Sequence, residues 1–176
     1  KPVAQQAYQP IGDLLLNFKV GSDSVKEYYR ELDMETGIVR ISYTDGNVKM
    51  TREVFMSYPD HVMVMKISAD KPGSVSVVAR LSSPFAEKTK ATDNRLSVSG
   101  QWKYLPEEIS WLVAKVEGTG LGFQTDVVAL PDKGSLKATD STLVIEDANS
   151  VTFILTTATS FINYMDIGGD PAARCE

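Results

Sequence analysis

Val39-Arg40-Ile41-Ser42-Tyr43-Thr44-Asp45-Gly46-Asn47-Val48-Lys49-Met50-Thr51-Arg52-Glu53-Val54-Phe55 is the stretch that decides the fold class. Val39, Ile41 and Tyr43 alternate with Arg40, Ser42 and Thr44, a period of two that puts apolar side chains on one face of an extended strand and polar ones on the other. Val48 to Phe55 continues in extended, β-branched and aromatic composition. Asp45 and Gly46 stand between the two runs, and both tolerate the positive φ of a type I′ turn, so the spacing predicts a β-hairpin.

The same alternation recurs outward from this hairpin. Val75, Val77, Ala79 and Leu81 oppose Ser76, Arg80 and Ser82, and Val151, Phe153 and Leu155 follow the same rule. Val62-Met63-Val64-Met65 is apolar on both faces and too short for a helix, which predicts a central strand covered on each side and deep in the core. Further strands are expected near Asp13–Val20, Glu27–Met34, Arg95–Gly100, Ile109–Glu117, Gly122–Leu130 and Thr142–Glu146. Turn residues separate them at Glu35-Thr36-Gly37, Lys71-Pro72-Gly73, Gly118-Thr119-Gly120 and Asp132-Lys133-Gly134. About ten or eleven strands with no long helix predict an all-β, antiparallel β-sandwich.

Two stretches break the rhythm. Glu87 to Asn94 is polar and poor in β formers, so it is expected to be an exposed connection. At Gly168-Gly169-Asp170-Pro171, Asp170 can cap a helix that starts on Pro171. A helix of about one turn does not persist alone, because nucleation costs more than one turn of hydrogen bonds returns. The chain is therefore expected to divide into a sandwich over residues 1–167 and the start of a linker helix over 168–176, with the natural sequence continuing past Glu176. No internal repeat or low-complexity tract appears.

At 176 residues, with 43% apolar residues, the chain has the material for one sizeable core. Its net charge of -5 comes from interspersed acidic and basic residues, so neither a nucleic-acid partner nor a polybasic membrane patch is expected. No apolar run approaches the ~20 residues needed to cross a membrane as a helix. The single cysteine, Cys175, rules out an internal disulfide framework and reads as an incidental thiol. One histidine, His61, rules out a multi-histidine metal site. No metal or other cofactor is expected.

The ordered blocks carry a resemblance. Tyr8-Gln9-Pro10-Ile11-Gly12-Asp13-Leu14, then Tyr29-Arg30-Glu31-Leu32-Asp33-Met34-Glu35-Thr36-Gly37, then Thr51-Arg52-Glu53-Val54-Phe55-Met56-Ser57-Tyr58-Pro59-Asp60 stand in sequence. Leu81-Ser82-Ser83-Pro84, Ala158-Thr159-Ser160-Phe161 and Asp170-Pro171 follow. Together they resemble the N-terminal β-sandwich, of supersandwich type, of glycoside hydrolase family 95, the α-L-fucosidase and α-L-galactosidase family. Met34 and Ile11 are mild departures, standing where leucine is commoner in that family. The resemblance implies that Tyr8 lies part-way into the domain, with further strands ahead of it. It also implies that the catalytic groups sit in an (α/α)6 barrel of the same parent chain, which would be this domain's partner. The parent would be an exported enzyme hydrolysing terminal α-L-fucosyl or α-L-galactosyl linkages with inversion. Its substrate would be a fucosylated oligo- or polysaccharide, and this piece alone would be inactive.

The residues themselves offer few chemical candidates, and no catalytic residue is assigned. Glu107 and Glu108 are adjacent, so on an extended segment they point to opposite faces and cannot converge on one glycosidic bond. Arg30, Arg52, Glu31, Glu53 and Asp33 read as one charged face of adjoining strands, either cross-strand ion pairs or a rim meeting another domain. Trp111 reads as a packing or inter-domain residue. Trp102 and Tyr104, in a loop-like stretch ending at Pro106, are the candidates for carbohydrate contact, since aromatic rings stack on the apolar faces of pyranoses. Burial beneath another domain explains them equally well. His61, after Tyr58-Pro59-Asp60, reads as a turn residue at a strand entrance, and Gly118 to Gly122 as a hairpin connection without the following helix that phosphate binding needs.

Overall fold

The computed structural model describes residues 10–19, 25–102, 120–163 and 165–176. The predicted strand at Ile109–Glu117 and the side chains of Tyr104, Glu107, Glu108 and Trp111 lie outside these residues. Twelve strands and one short helix are present among them: β1 (Asp13–Phe18), β2 (Val25–Asp33), β3 (Ile38–Asp45), β4 (Val48–Ser57), β5 (Val62–Ala69), β6 (Val75–Ser82), β7 (Ala86–Thr92), β8 (Arg95–Gln101), β9 (Gly122–Asp132), β10 (Ser135–Ala138), β11 (Leu143–Ala148), β12 (Ser150–Thr159) and α1 (Pro171–Arg174). They form a four-stranded sheet in the order β1-β6-β11-β10 and an eight-stranded sheet in the order β2-β3-β4-β5-β12-β9-β8-β7. All the pairings are antiparallel, as the alternation predicts.

The core lies between the sheets. Val75, Val77, Ala79 and Leu81 of β6 are all buried, with Leu143 and Ile145 of β11 beside them. Facing them are Ile67, Phe153, Val127, Phe123, Leu96 and Val98 of the larger sheet. Each fully buried side chain of this size contributes roughly 1.5–3 kcal/mol relative to exposure. The predicted hairpin forms with Asp45 opposite Val48. Its loop is Gly46-Asn47, one residue later than expected, and of the two only Gly46 takes a positive φ, +61°. That sign pattern belongs to a type II′ turn, which places glycine first.

Two expectations are corrected, and one strand is added to them. Residues 86–92 are not a connection but the edge strand β7, paired with β8 from Thr92 opposite Arg95 back to Ala86 opposite Gly100. An edge strand needs only one hydrogen-bonded neighbour and no buried face, so polar composition does not prevent it. Val62 to Met65 do lie in a strand flanked by β4 and β12, yet they are only half-buried; the buried residue of β5 is Ile67. Met63 and Met65 share the inward face of Ile67, whereas Val62 and Val64 share the outer face with exposed Lys66, and no second sheet covers that face among the described residues. Finally, β10 is a strand that the pattern does not reveal, because four residues are too few to show a period.

The helix at Asp170 is present as expected. The Asp170 carboxylate accepts from the amides of Ala172, at 2.9 Å, and Ala173, at 3.2 Å. Tertiary contacts hold this single turn. Arg174 Nη1 donates to the carbonyls of Thr159 and Phe161, at 2.9 and 2.8 Å, and Cys175 is buried against the larger sheet.

Candidate functional site

A cleft lies among the described residues where β1 and β6 of the smaller sheet meet β2, β3 and β4 of the larger. Its volume is about 790 Å³, and its wall includes Phe18, Tyr28, Tyr43, Arg52, Asn17 and Ser76. Arg52 is the lining residue with the most side-chain contacts described. Cross-strand register sets it opposite Ile41 and Ile67, on the face that looks toward the smaller sheet. Its guanidinium carbon lies 4.2 Å from the centre of the Phe18 ring and 5.6 Å from that of Tyr43, and Nη2 donates to the Tyr43 hydroxyl at 3.2 Å. Such stacking contributes about 0.5–2 kcal/mol and ties β1 of one sheet to β3 and β4 of the other. The Arg52 Nε–H is buried and has no acceptor among the described residues. Volume and lining suit a small ligand with both apolar and hydroxyl-bearing surface.

The expected single charged face is split in two. Adjacent residues of a strand face opposite ways, so Arg52 and Glu53 cannot share a face, nor can Arg30 and Glu31. Glu31, Arg40 and Glu53 stand opposite one another across β2, β3 and β4 on the outer surface. Arg40 reaches both carboxylates, Glu31 at 2.9 Å and Glu53 at 3.0 Å, and bonds to Glu53 and then Glu31 raise its pKa. Arg40 is the hub that the sequence reading missed; the alternation Val39-Arg40-Ile41 was the available signal. Arg30 and Arg52 belong to the opposite face. Asp33 ends β2, and its carboxyl is held below the usual range by the Thr36 side chain and by the Glu35 and Thr36 amides.

Trp102 is half-buried, not a free platform. Its ring stacks on Phe123 at 6.0 Å and 24°, and its indole N–H is buried without an acceptor among the described residues. Tyr104 lies outside the described residues. His61 sits in the turn between β4 and β5 with φ +54°, tilted against Tyr58 at 5.7 Å, while the Ser57 hydroxyl donates to Asp60. The most buried carboxylate among the described residues, Asp126, meets Arg95 at 3.3 Å and the Gln124 amide at 3.1 and 3.2 Å. It is 2% exposed, so no substrate reaches it. Cys175 packs nearby with Sγ 3.6 Å from the Gln124 carbonyl, and burial raises the pKa of its thiol. No cluster of three or more potential metal ligands occurs among the described residues.

A family model described as the glycosyl hydrolase family 65 N-terminal domain matches residues 2–164, nearly the whole chain. The chain belongs to this N-terminal domain family. Alpha-L-fucosidase 2 of Arabidopsis thaliana is 46% identical to this N-terminal domain over 71 residues, which is 39% of this chain and 8% of that protein. A protein of Aspergillus oryzae named probable alpha-fucosidase A is 41% identical over 49 residues, 28% of this chain and 7% of its own length. The counterpart of that name in Aspergillus niger is 29% identical over 98 residues, 54% of this chain and 12% of its own length. The domain therefore spans a small part of the relatives that it matches. A solved structure from the human microbiome, described as a putative kojibiose phosphorylase, superimposes with a TM-score of 0.55 at 9% identity. It covers 94% of this domain and 24% of that chain, and it shows the shared fold.

Proposed function

We propose that this chain is the non-catalytic N-terminal β-sandwich of an α-L-fucosidase-type hydrolase of glycoside hydrolase family 95. Its parent hydrolyses terminal α-L-fucosyl or α-L-galactosyl linkages with inversion, on groups carried by a helical barrel elsewhere in the same chain. The observation that carries this reading is the 46% identity to a fucosidase-named protein across 71 residues, within a match to a domain family described as N-terminal. The site geometry agrees with it. Inverting hydrolysis needs an acid and a base carboxyl roughly 6.5–9.5 Å apart around a bound sugar. Among the described residues lining the cleft, Asp45 is the one carboxylate, so no such pair stands there.

The test is hydrolysis of an aryl α-L-fucoside by the full-length parent and by the 176-residue chain, with the first-formed anomer followed by proton NMR. The parent is expected to release β-L-fucose first, and the 176-residue chain to show no turnover above buffer. Turnover by the short chain at a rate near the parent's would overturn the non-catalytic assignment. First release of α-L-fucose would overturn inversion.

The cleft beside Arg52 favours a second reading, in which the domain itself holds a saccharide. In this reading either the cleft or the Trp102 and Tyr104 region makes the contact. Calorimetric titration of a fucosylated oligosaccharide separates the two. Loss of binding in Tyr28→Ala alone points to the cleft, loss in Trp102→Ala or Tyr104→Ala points to the other region, and no heat with the unmodified chain rejects the reading.

A further inference from the structure

Arg52 carries a charge that its protein surroundings do not answer. It is the one arginine among the described residues that is not exposed. The exposed guanidiniums of Arg40 and Arg95 each hold a carboxylate, whereas Arg52 makes no ion pair among the described residues. The Phe18 ring stabilises the cation through its face, and the Tyr43 hydroxyl accepts one N–H. A guanidinium has several further donors and no acceptor of its own, and the Nε–H of Arg52 is buried without a partner. Holding a cation partly out of water with its donors unmet is costly, and an anion in the cleft would offset that cost.

The wall around Arg52 has the matching sign and shape. Lys19 and Arg52 stand against Asp45 alone, two cations to one anion, in a chain whose net charge is -5. Asn17 and Asn47 are exposed amides on the same wall, suited to sugar hydroxyls. Tyr28, 63% exposed, offers a ring on which the apolar face of a pyranose can stack. We infer that the cleft binds an acidic saccharide, with the carboxylate of a uronic acid residue paired to the Arg52 guanidinium. This inference rests on the second reading given above, in which the domain itself holds a saccharide, and it assigns the site and the class of sugar. Arg52 selects the acid because a carboxylate takes two parallel N–H bonds from the planar fork, a match that neither a hydroxyl nor an ester carbonyl supplies.

The test is calorimetric titration of the 176-residue chain with a galacturonic acid trimer, with the methyl ester of that trimer and with a neutral fucosylated oligosaccharide. The acid is expected to bind at least ~10-fold more tightly than its ester at low salt, the share of a charge-assisted pair, and the difference is expected to shrink as salt rises. Arg52→Gln is expected to bring the acid down to the level of the ester, and Arg52→Lys, which keeps the charge without the fork, to fall between. Arg52 also ties the two sheets, so the melting transition of each variant is recorded; the comparison of acid with ester needs no variant and decides by itself. Equal affinity for acid and ester, or undiminished acid binding by folded Arg52→Gln, would overturn the inference. Inorganic sulfate competing as well as the trimer would overturn it as well, by making this a site for small anions of any kind. So would Arg52-dependent binding that disappears in the full-length parent, where another part of the chain would then fill the cleft. Binding of the fucosylated oligosaccharide alone removes this inference and leaves the second reading standing, whereas silence toward every saccharide removes both.

Discussion

Phe153→Ala is expected to destabilise the domain by about 3–5 kcal/mol, the range for removing a fully buried phenylalanine from a core that only partly collapses. Phe153 is 1% exposed and sits on β12 between Met65 of β5 and Ala129 of β9, in the middle of the larger sheet. Its ring faces the layer formed by β6 and β11, so truncation leaves a cavity with a layer on each side. For a domain of this length a loss of that size corresponds to a fall in Tm of roughly 6–20 °C. The measurement is urea denaturation of the variant beside Tyr58→Ala, whose side chain is 87% exposed in the β4–β5 turn. The turn variant is expected to stay within about 1 kcal/mol of the unmodified chain. Similar losses in the two variants would mean that the sheets do not pack on Phe153.

Gly134→Ala is expected to cost about 2–5 kcal/mol for two reasons that add. Gly134 has φ +67°, where any Cβ costs roughly 1–2 kcal/mol. A Cβ there would also run into the Glu146 carbonyl, the Asp147 carbonyl carbon and the Ala148 amide, which are all backbone atoms. Backbone cannot rotate away as a side-chain tip can, so β10 or β11 would have to shift, at a further cost of about 1–3 kcal/mol. The position matters because the chain leaves the larger sheet at Asp132 and joins the smaller one at Ser135. Gly37→Ala isolates the first cause, since Gly37 has φ +70° and a methyl group added to its Cα would meet nothing within 4 Å. It is expected to cost only the conformational share. Chemical denaturation of the two variants in parallel checks this, and a loss at Gly37 equal to that at Gly134 would show that close approach contributes nothing.

The strands with one buried face were legible because burial writes itself into a period of two. Val75 to Leu81 on β6 and Val151 to Leu155 on β12 show it. Asp170 was legible for a different reason: a helix cap is a local device, satisfied by amides two and three residues away. The errors share one origin. The pairing that makes β7 a strand comes from β8, and the half-burial of Val62 and Val64 reflects an outer face that no second layer covers among the described residues, neither of which is written in those residues.

The candidate site was less legible still. The charged residues near Arg52 stand out in the sequence as a group, but which of them share a face depends on register across three strands. The aromatic sandwich of Arg52 joins Phe18 to Tyr43, which lie far apart in sequence. The sequence leaves Trp102 open between carbohydrate contact and burial because its neighbours in sequence are loop-like, and its stacking on Phe123 of β9 is a contact that only the fold brings about.

By itself, then, the sequence determined that this chain is an antiparallel β protein with a capped turn of helix at Asp170, because alternation, turn residues and caps act over a few residues. Only the tertiary structure decided that four strands face eight among the described residues, that Arg40 is the hub of the outer charges, and that Phe161, Ile162, Met165 and Ile167 are left exposed after β12. Those features depend on which strand lies beside which, a choice made by the packing of the whole core.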